Sequence, residues 1–136
     1  MSAPIDPIYS QLPVVSIYAP GCDLPATAPA GVAALTFCSI TGDVQTNGTV
    51  TISTTAAGGR AHGVATYTAA PGGATGLARG NSRVVRVGVG TTGLVAGADV
   101  EVAAGGLAAP FAQGSVAVGY AIADAAPGTI GQISLY

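Results

Sequence analysis

Gly88, Gly90 and Gly93 stand at the spacing G-x-G-x-x-G in the stretch VRVGVGTTGL, directly after a plausible strand, RVVRV. This is the spacing of a dinucleotide-binding turn. That chemistry needs a helix after the glycines, because the pyrophosphate rests on the helix N-terminus. Here LVAGADVEVAAGG follows, with more glycine and a β-type pattern. An acidic residue about 20 positions on should hold the ribose; Asp99 and Glu101 come too early. With 21 glycines in the chain, the spacing arises readily by chance. No nucleotide cofactor is expected. Gly90 and Gly93 are expected to be turn residues with positive φ, and Gly88 a strand glycine at a bend or a close backbone approach.

The other reactive side chains are few and scattered. His62 is the only histidine. No G-x-S-x-G elbow offers it a nucleophile, so GRAHG predicts a structural or solvent-facing His62 at the start of a strand. Asp99 and Glu101 lie two apart, on one face of a strand. They could form the carboxylate pair of a glycosidase, but a solvated face, or pairing with Arg83 and Arg86, explains them as well. Cys22 and Cys38 are the only cysteines. Cytosolic thiols stay reduced, so they read as small, semi-buried residues rather than a bridge. No spacing of His, Cys and carboxylates suits a metal. Asn47-Gly48-Thr49 is formally a glycosylation sequon, and the tight turn it predicts accounts for it. The chain is therefore not expected to be an enzyme, and no cofactor is implied.

Charge narrows the partners. Only 7% of the 136 residues are charged, there is no Lys, and the four basic side chains other than His62 are Arg60, Arg79, Arg83 and Arg86. Ordinary soluble domains carry about 25%. Disorder goes with low hydrophobicity and high charge, and this composition is the reverse. A net charge of −2 lacks the basic footprint that phosphate neutralisation requires, so no nucleic-acid partner is expected. No long run of large apolar residues spans a bilayer, and MSAPIDPIYSQLP lacks the basic and apolar regions of a secretory signal. These features predict synthesis in a cytoplasm and no membrane partner. With no Trp and two Phe, the core must be thin. Added stability is expected from self-association or a partner.

The elements that would position these residues are short strands. Residues 1–30 hold six of the nine prolines, which forbid helix and favour extended backbone. They predict an N-terminal arm over 1–30 and a single β domain over 31–136. Ile5, Ile8, Tyr9, Leu12, Val14, Val15, Ile17 and Tyr18 give the arm apolar side chains without a core of its own. They are the candidate contact residues toward a partner or a neighbouring subunit. From Val32 onward, VAALTFCSI, VQTNGTVTIS, AHGVATYTA, RVVRVGV, ADVEVA, SVAVGYAI and GQISLY read as strands. Asn47-Gly48 marks a hairpin. Gly-rich turns, APGGATG among them, separate the strands. Only the Ala-rich stretch around 103–112 has room for one turn of helix. The pattern predicts an all-β fold, a small β-barrel or β-tulip-like domain.

The order of these motifs resembles the capsid decoration, or cement, proteins of tailed bacteriophages, especially those infecting actinobacteria. Tyr18, Pro20 and Gly21 match the opening Tyr-x-Pro-Gly. Gly63, Val64 and Ala65 match a Gly-Val-Ala strand. Ala96, Gly97, Val100 and Glu101 match a later strand, and Gly119, Ala121, Leu135 and Tyr136 the close. The resemblance covers about residues 17–136. Two departures are Thr68, where the family carries an acidic residue, and a longer, more Pro-rich arm. The resemblance implies a structural virion protein without catalysis. It implies homotrimers bound at three-fold and quasi-three-fold positions on the exterior of the major capsid protein shell, stabilising it. The alternatives are a head fibre or tail adhesin domain, or a carbohydrate-binding module, for which five Tyr and no Trp make a poor platform.

Overall fold

A computed structural model describes residues 23–113 and 115–136. The fold is all-β, and the ten strands among the described residues form two sheets. Leu24–Ala28 (β1), Phe37–Gly42 (β2), Val50–Thr54 (β3), Gly63–Ala65 (β4) and Gly73–Ala78 (β5) close into a barrel in the order β1-β3-β2-β4-β5. The closing strand is β1, parallel to β3 and antiparallel to β5. Val84–Gly88 (β6), Asp99–Ala103 (β7), Leu107–Pro110 (β8), Gly119–Ala121 (β9) and Ile130–Leu135 (β10) form a second sheet, ordered β6-β10-β9-β7-β8. Its edges approach each other where Val89 bridges Ala108 and the Gly90 N–H donates to the Ala108 carbonyl at 2.9 Å. A 3-10 turn, Ala104–Gly106, links β7 to β8, within the stretch that has room for one turn of helix.

Two segments depart from the sequence reading. Leu24–Ala28, assigned to the arm, is a barrel strand with Leu24, Ala26 and Ala28 buried. Its alternation is real but written in small side chains around Pro25. The exposed Pro25 faces away from the barrel interior, so its ring costs no packing. Gly73–Ala78, read as part of a turn, is β5. A run of Gly and Ala has weak strand preference by itself; here β1 and β4 supply its backbone partners on both sides. The candidate contact residues Ile5, Ile8, Tyr9, Leu12, Val14, Val15, Ile17 and Tyr18 lie outside the described residues.

The hairpin expected at Asn47-Gly48 joins β2 to β3, which pair antiparallel. The connection is longer than two residues. Gly48 has φ +86°, and Asn47 Oδ1 accepts from both the Thr49 N–H and its hydroxyl at 3.2 and 2.8 Å. Such an Asx-type bond stabilises a turn locally.

Two cores exist, and one of them crosses the boundary between sheets. Leu24, Ala26, Ala28, Cys38, Ile52, Ala65 and Leu77 fill the barrel. Val85, Val87, Val100, Val102, Ile133 and Leu135 line the second sheet's inner face, and Phe37, Val64 and Ala78 of the barrel strands pack among them. Strand β4 explains the sharing, since all three of its residues are buried: Val64 belongs to the shared core and Ala65 to the barrel. Leu35 forms a backbone joint at the same boundary. Its N–H donates to Ala65 and its carbonyl accepts from Gly88, at 2.8 and 2.9 Å. It does so at φ +60°, a conformation that costs a branched side chain energy and persists only where surroundings enforce it.

Candidate interaction surface

The glycine motif is structural. β6 ends at Gly88, and β7, not a helix, is the next element. A Cβ on Gly88 would meet the end of the Leu107 side chain, Cδ2, at 3.0 Å, while the nearest backbone atom, the Leu35 carbonyl oxygen, is 3.7 Å away, so the tight neighbour is a side chain and not the backbone expected. Neither Gly90 nor Gly93 has positive φ, contrary to expectation. At Gly93 the requirement is space: a Cβ would stand 2.7 Å from the Ala125 carbonyl oxygen. Gly90 is looser, with its nearest contact at 3.4 Å.

His62 lies just before β4 and uses its ring on the backbone. Its Nδ1 accepts from the Ile40 N–H at 3.0 Å, leaving Nε2 as the ring's donor. Asp99 and Glu101 do share a face of β7, but they serve other groups than Arg83 and Arg86. Asp99 accepts from the Tyr136 hydroxyl, and Glu101 Oε1 from the Ala112 N–H at 2.6 Å. The bond to Asp99 holds the Tyr136 phenol above the usual tyrosine range, with partial burial and the carboxylate's charge adding to it. Arg83 pairs instead with Asp23 at 2.6 Å. Cys38 is a free, fully buried thiol, pushed up by burial against the lowering effect of its bonds to Thr36 and Ala65. Among the described residues no group of three or more His, Cys, Asp or Glu is placed to hold a metal. No helix among them is long and apolar enough to cross a membrane.

The distinctive surface is the outer face of the second sheet. Strand alternation sends Val84 and Arg86, Ile130 and Gln132, Tyr120, and Asp99 outward, while Val85, Val87, Ala121, Val100 and Ile133 point in. Register brings them into rows. Val84 faces Ser134, Ser134 faces Tyr120, and Tyr120 faces Asp99. Tyr136 packs on Tyr120 with ring centroids 5.9 Å apart at 47°. Ile122 extends the next row, its N–H bonded to the Gln132 carbonyl. Tyr120, Ile122, Val84 and Ile130 are all at least 38% exposed. These exposed apolar side chains alternate with Arg86, Gln132 and Asp99 on one face, and clustered exposed apolar groups with a polar rim are a feature of contact surfaces. The sequence held the signal, in the alternation of SVAVGYAI and GQISLY; which side faced out required the structure.

Two hollows flank this sheet. One, of about 590 Å³, is lined by Val89, Thr91, Ala103, Leu107 and Pro127 near the closing edge. The other, of about 570 Å³, lies where barrel and sheet meet and includes Arg60, His62, Arg79 and Tyr136.

Fold and surface together define a small all-β protein of two sheets with a shared core and an outward apolar face. Among solved structures it is similar to the head fiber gp8.5 N base in bacteriophage phi29. The TM-score is 0.69 at 20% identity, over 85% of this chain and 93% of that one. At that identity the likeness is one of fold. No known family and no curated protein matches the chain.

Proposed function

We propose that this chain is a virion surface protein of a tailed bacteriophage, a capsid decoration protein. In this reading it binds the exterior of the major capsid protein shell as homotrimers, at three-fold and quasi-three-fold positions. It is made in the host bacterial cytoplasm. It is not an enzyme, takes no cofactor, and binds neither nucleic acid nor a membrane. The observation that carries the reading is the fold shared with a phage head fiber base across 93% of that chain. The order of sequence motifs and the low charge support it. Binding only to the mature shell would stabilise that shell by mass action. Three attachment points per trimer would add avidity without strong single contacts. The outer face of the second sheet and the arm, with Ile5, Ile8, Tyr9, Leu12, Val14, Val15, Ile17 and Tyr18, are the contact elements toward shell or neighbour.

A second reading has the same support: the chain is itself the base of a head fibre. Co-sedimentation tests both. Purified protein mixed with undecorated heads should pellet with them and raise their melting temperature. A head-fibre base would pellet without changing that temperature. Failure to pellet would contradict both. Deleting residues 2–13 should leave the β signature in circular dichroism and weaken pelleting severalfold. Undiminished pelleting would remove the arm from the contact.

A further inference from the structure

The arginines differ in their surroundings. Arg83 is paired with Asp23 at 2.6 Å, and Arg79 also interacts within the chain. Arg60 lies exposed at the hollow where barrel and sheet meet. Arg86 stands exposed on the outer face of the second sheet, among apolar side chains. Val84 precedes it on the same face of β6. Gln132 faces it on β10, with Ile130 on the diagonal, and Ile122 follows beyond Gln132. On its barrel side Arg86 borders a hollow of about 180 Å³ with Leu35, Val64 and Thr66, where the other charge is that of Arg83, met by Asp23. Among the described residues none pairs with or hydrogen-bonds to the Arg86 guanidinium.

Water solvates this guanidinium while the face is open. Contact with another protein over Val84, Ile130 and Ile122 removes that water, and a charge buried without a counter-ion is costly. The partner must therefore bring an anion. A second copy of the chain has no uncommitted carboxylate among the described residues. Asp23 holds Arg83, Asp43 the Val44 N–H, Asp124 the Ala96 N–H, Glu101 the Ala112 N–H, and Asp99 the Tyr136 hydroxyl. A nucleic acid presents a row of phosphates and calls for several cations, whereas one guanidinium stands here among aliphatic side chains. We propose that the outer face of the second sheet docks on a patch of the capsid shell protein that sets a carboxylate among apolar side chains. The Arg86 guanidinium forks onto that carboxylate, a bidentate pairing that suits arginine better than lysine. Val84, Ile122 and Ile130 pack around the pair and exclude water, as the surroundings of an anchor residue do. The proposal rests on the reading of the chain as a virion surface protein and names what its partner presents.

The test uses the full chain and undecorated heads. Arg86 is exposed, so its variants keep the fold, which circular dichroism checks. Arg86→Gln should weaken pelleting with heads by about thirtyfold or more, because the partner's carboxylate is left buried and unpaired. Arg86→Glu should abolish pelleting, and Arg86→Lys should fall between wild type and Arg86→Gln. The chain has no lysine, so Arg86→Lys introduces its one side-chain amine. A carbodiimide added to heads carrying that variant should join position 86 through an amide, with loss of water, to an Asp or Glu of the shell protein, read by mass spectrometry. Amides formed instead to a second copy of this chain overturn the proposal, as does loss of self-association by Arg86→Gln in sedimentation of the protein alone. Displacement of wild type from heads by added duplex DNA would point to phosphate and overturn it too. If wild type and all three variants pellet alike, this proposal falls and the virion reading stands. If none pellets, wild type included, both fall.

Discussion

The barrel and the second sheet treat their surfaces in opposite ways. In the barrel, polar side chains bond to the barrel itself. Thr27 and Thr49 hydroxyls meet at 2.6 Å, and Ser39 meets Thr55 at 2.7 Å. Thr75 bonds to both the N–H and the carbonyl of Tyr67, and Thr51 donates to the Asp43 carbonyl. These short hydroxyls satisfy backbone and each other without charge. The second sheet leaves large apolar side chains outside instead. Eight of the eleven exposed large hydrophobics fall in residues 84–136, so the apolar surface is concentrated on one half of the molecule. A self-satisfied barrel suits a scaffold, and an apolar face suits contact with another protein. The low charge is consistent with the barrel half, where neutral hydroxyls satisfy backbone and each other.

The shared core sets the limit of this contrast, and Phe37 is the place to break it. The side chain is fully buried, starts from barrel strand β2 and packs with the second sheet's valines. Phe37→Ala should cost about 3–5 kcal/mol. Both regions should lose stability together, as one transition in urea and as parallel loss of amide protection in β3 and β10. Loss confined to the barrel would show two independent units.

Glycine substitutions sharpen the comparison at lower cost. A Cβ at Gly63 would collide with the Ala78 carbonyl inside the barrel wall, so Gly63→Ala should cost about 1–3 kcal/mol. In the second half, Gly93→Ala should destabilise more than Gly90→Ala, since 2.7 Å to a carbonyl is a clash and 3.4 Å is not. Equal effects would mean that backbone conformation, not space, governs both. Thermal melts read all three.

The outer face should matter little for stability. Val84→Ser with Ile122→Ser changes two exposed side chains and should shift stability by less than about 0.5 kcal/mol each. The same pair should weaken binding to heads about tenfold or more, because apolar burial is lost from the contact. Unchanged binding would move the contact off this face.

The barrel also carries a pH effect. Burial pushes the Cys38 thiol up. The folded protein keeps it protonated where the unfolded chain ionises, so its contribution is present at neutral pH. It declines as pH rises past the ordinary thiol value and is lost through the raised one. In a Cys22→Ser background, a thiol reagent should react slowly with native protein and rapidly in urea. Fast native reaction would contradict the buried setting.

Much of the fold was legible where side chains announce their periodicity. RVVRVGV and ADVEVA alternate with Val and each contains a strand of the second sheet, and GQISLY covers all but the first residue of β10. The barrel was legible only in part. β1 is LPATA and β5 is GATGLA, sequences whose own preference is weak and whose strand state comes from partners distant in the chain. The pairing of Arg83 with Asp23, 60 residues apart, was hidden for the same reason. Sequence proximity suggested Asp99 and Glu101 instead. The apolar face was half legible: alternation separated two sides of each strand but did not say which one the shared core would claim.

We propose that this protein covers the outside of a phage head. An image reconstruction of heads incubated with the protein, against undecorated heads, tests it directly. The expected result is added density on the outer surface at three-fold and quasi-three-fold positions, in three-lobed units that fit the two-sheet fold with the second sheet's outer face in contact. Heads that show no added density, with the protein left in the supernatant, would contradict it.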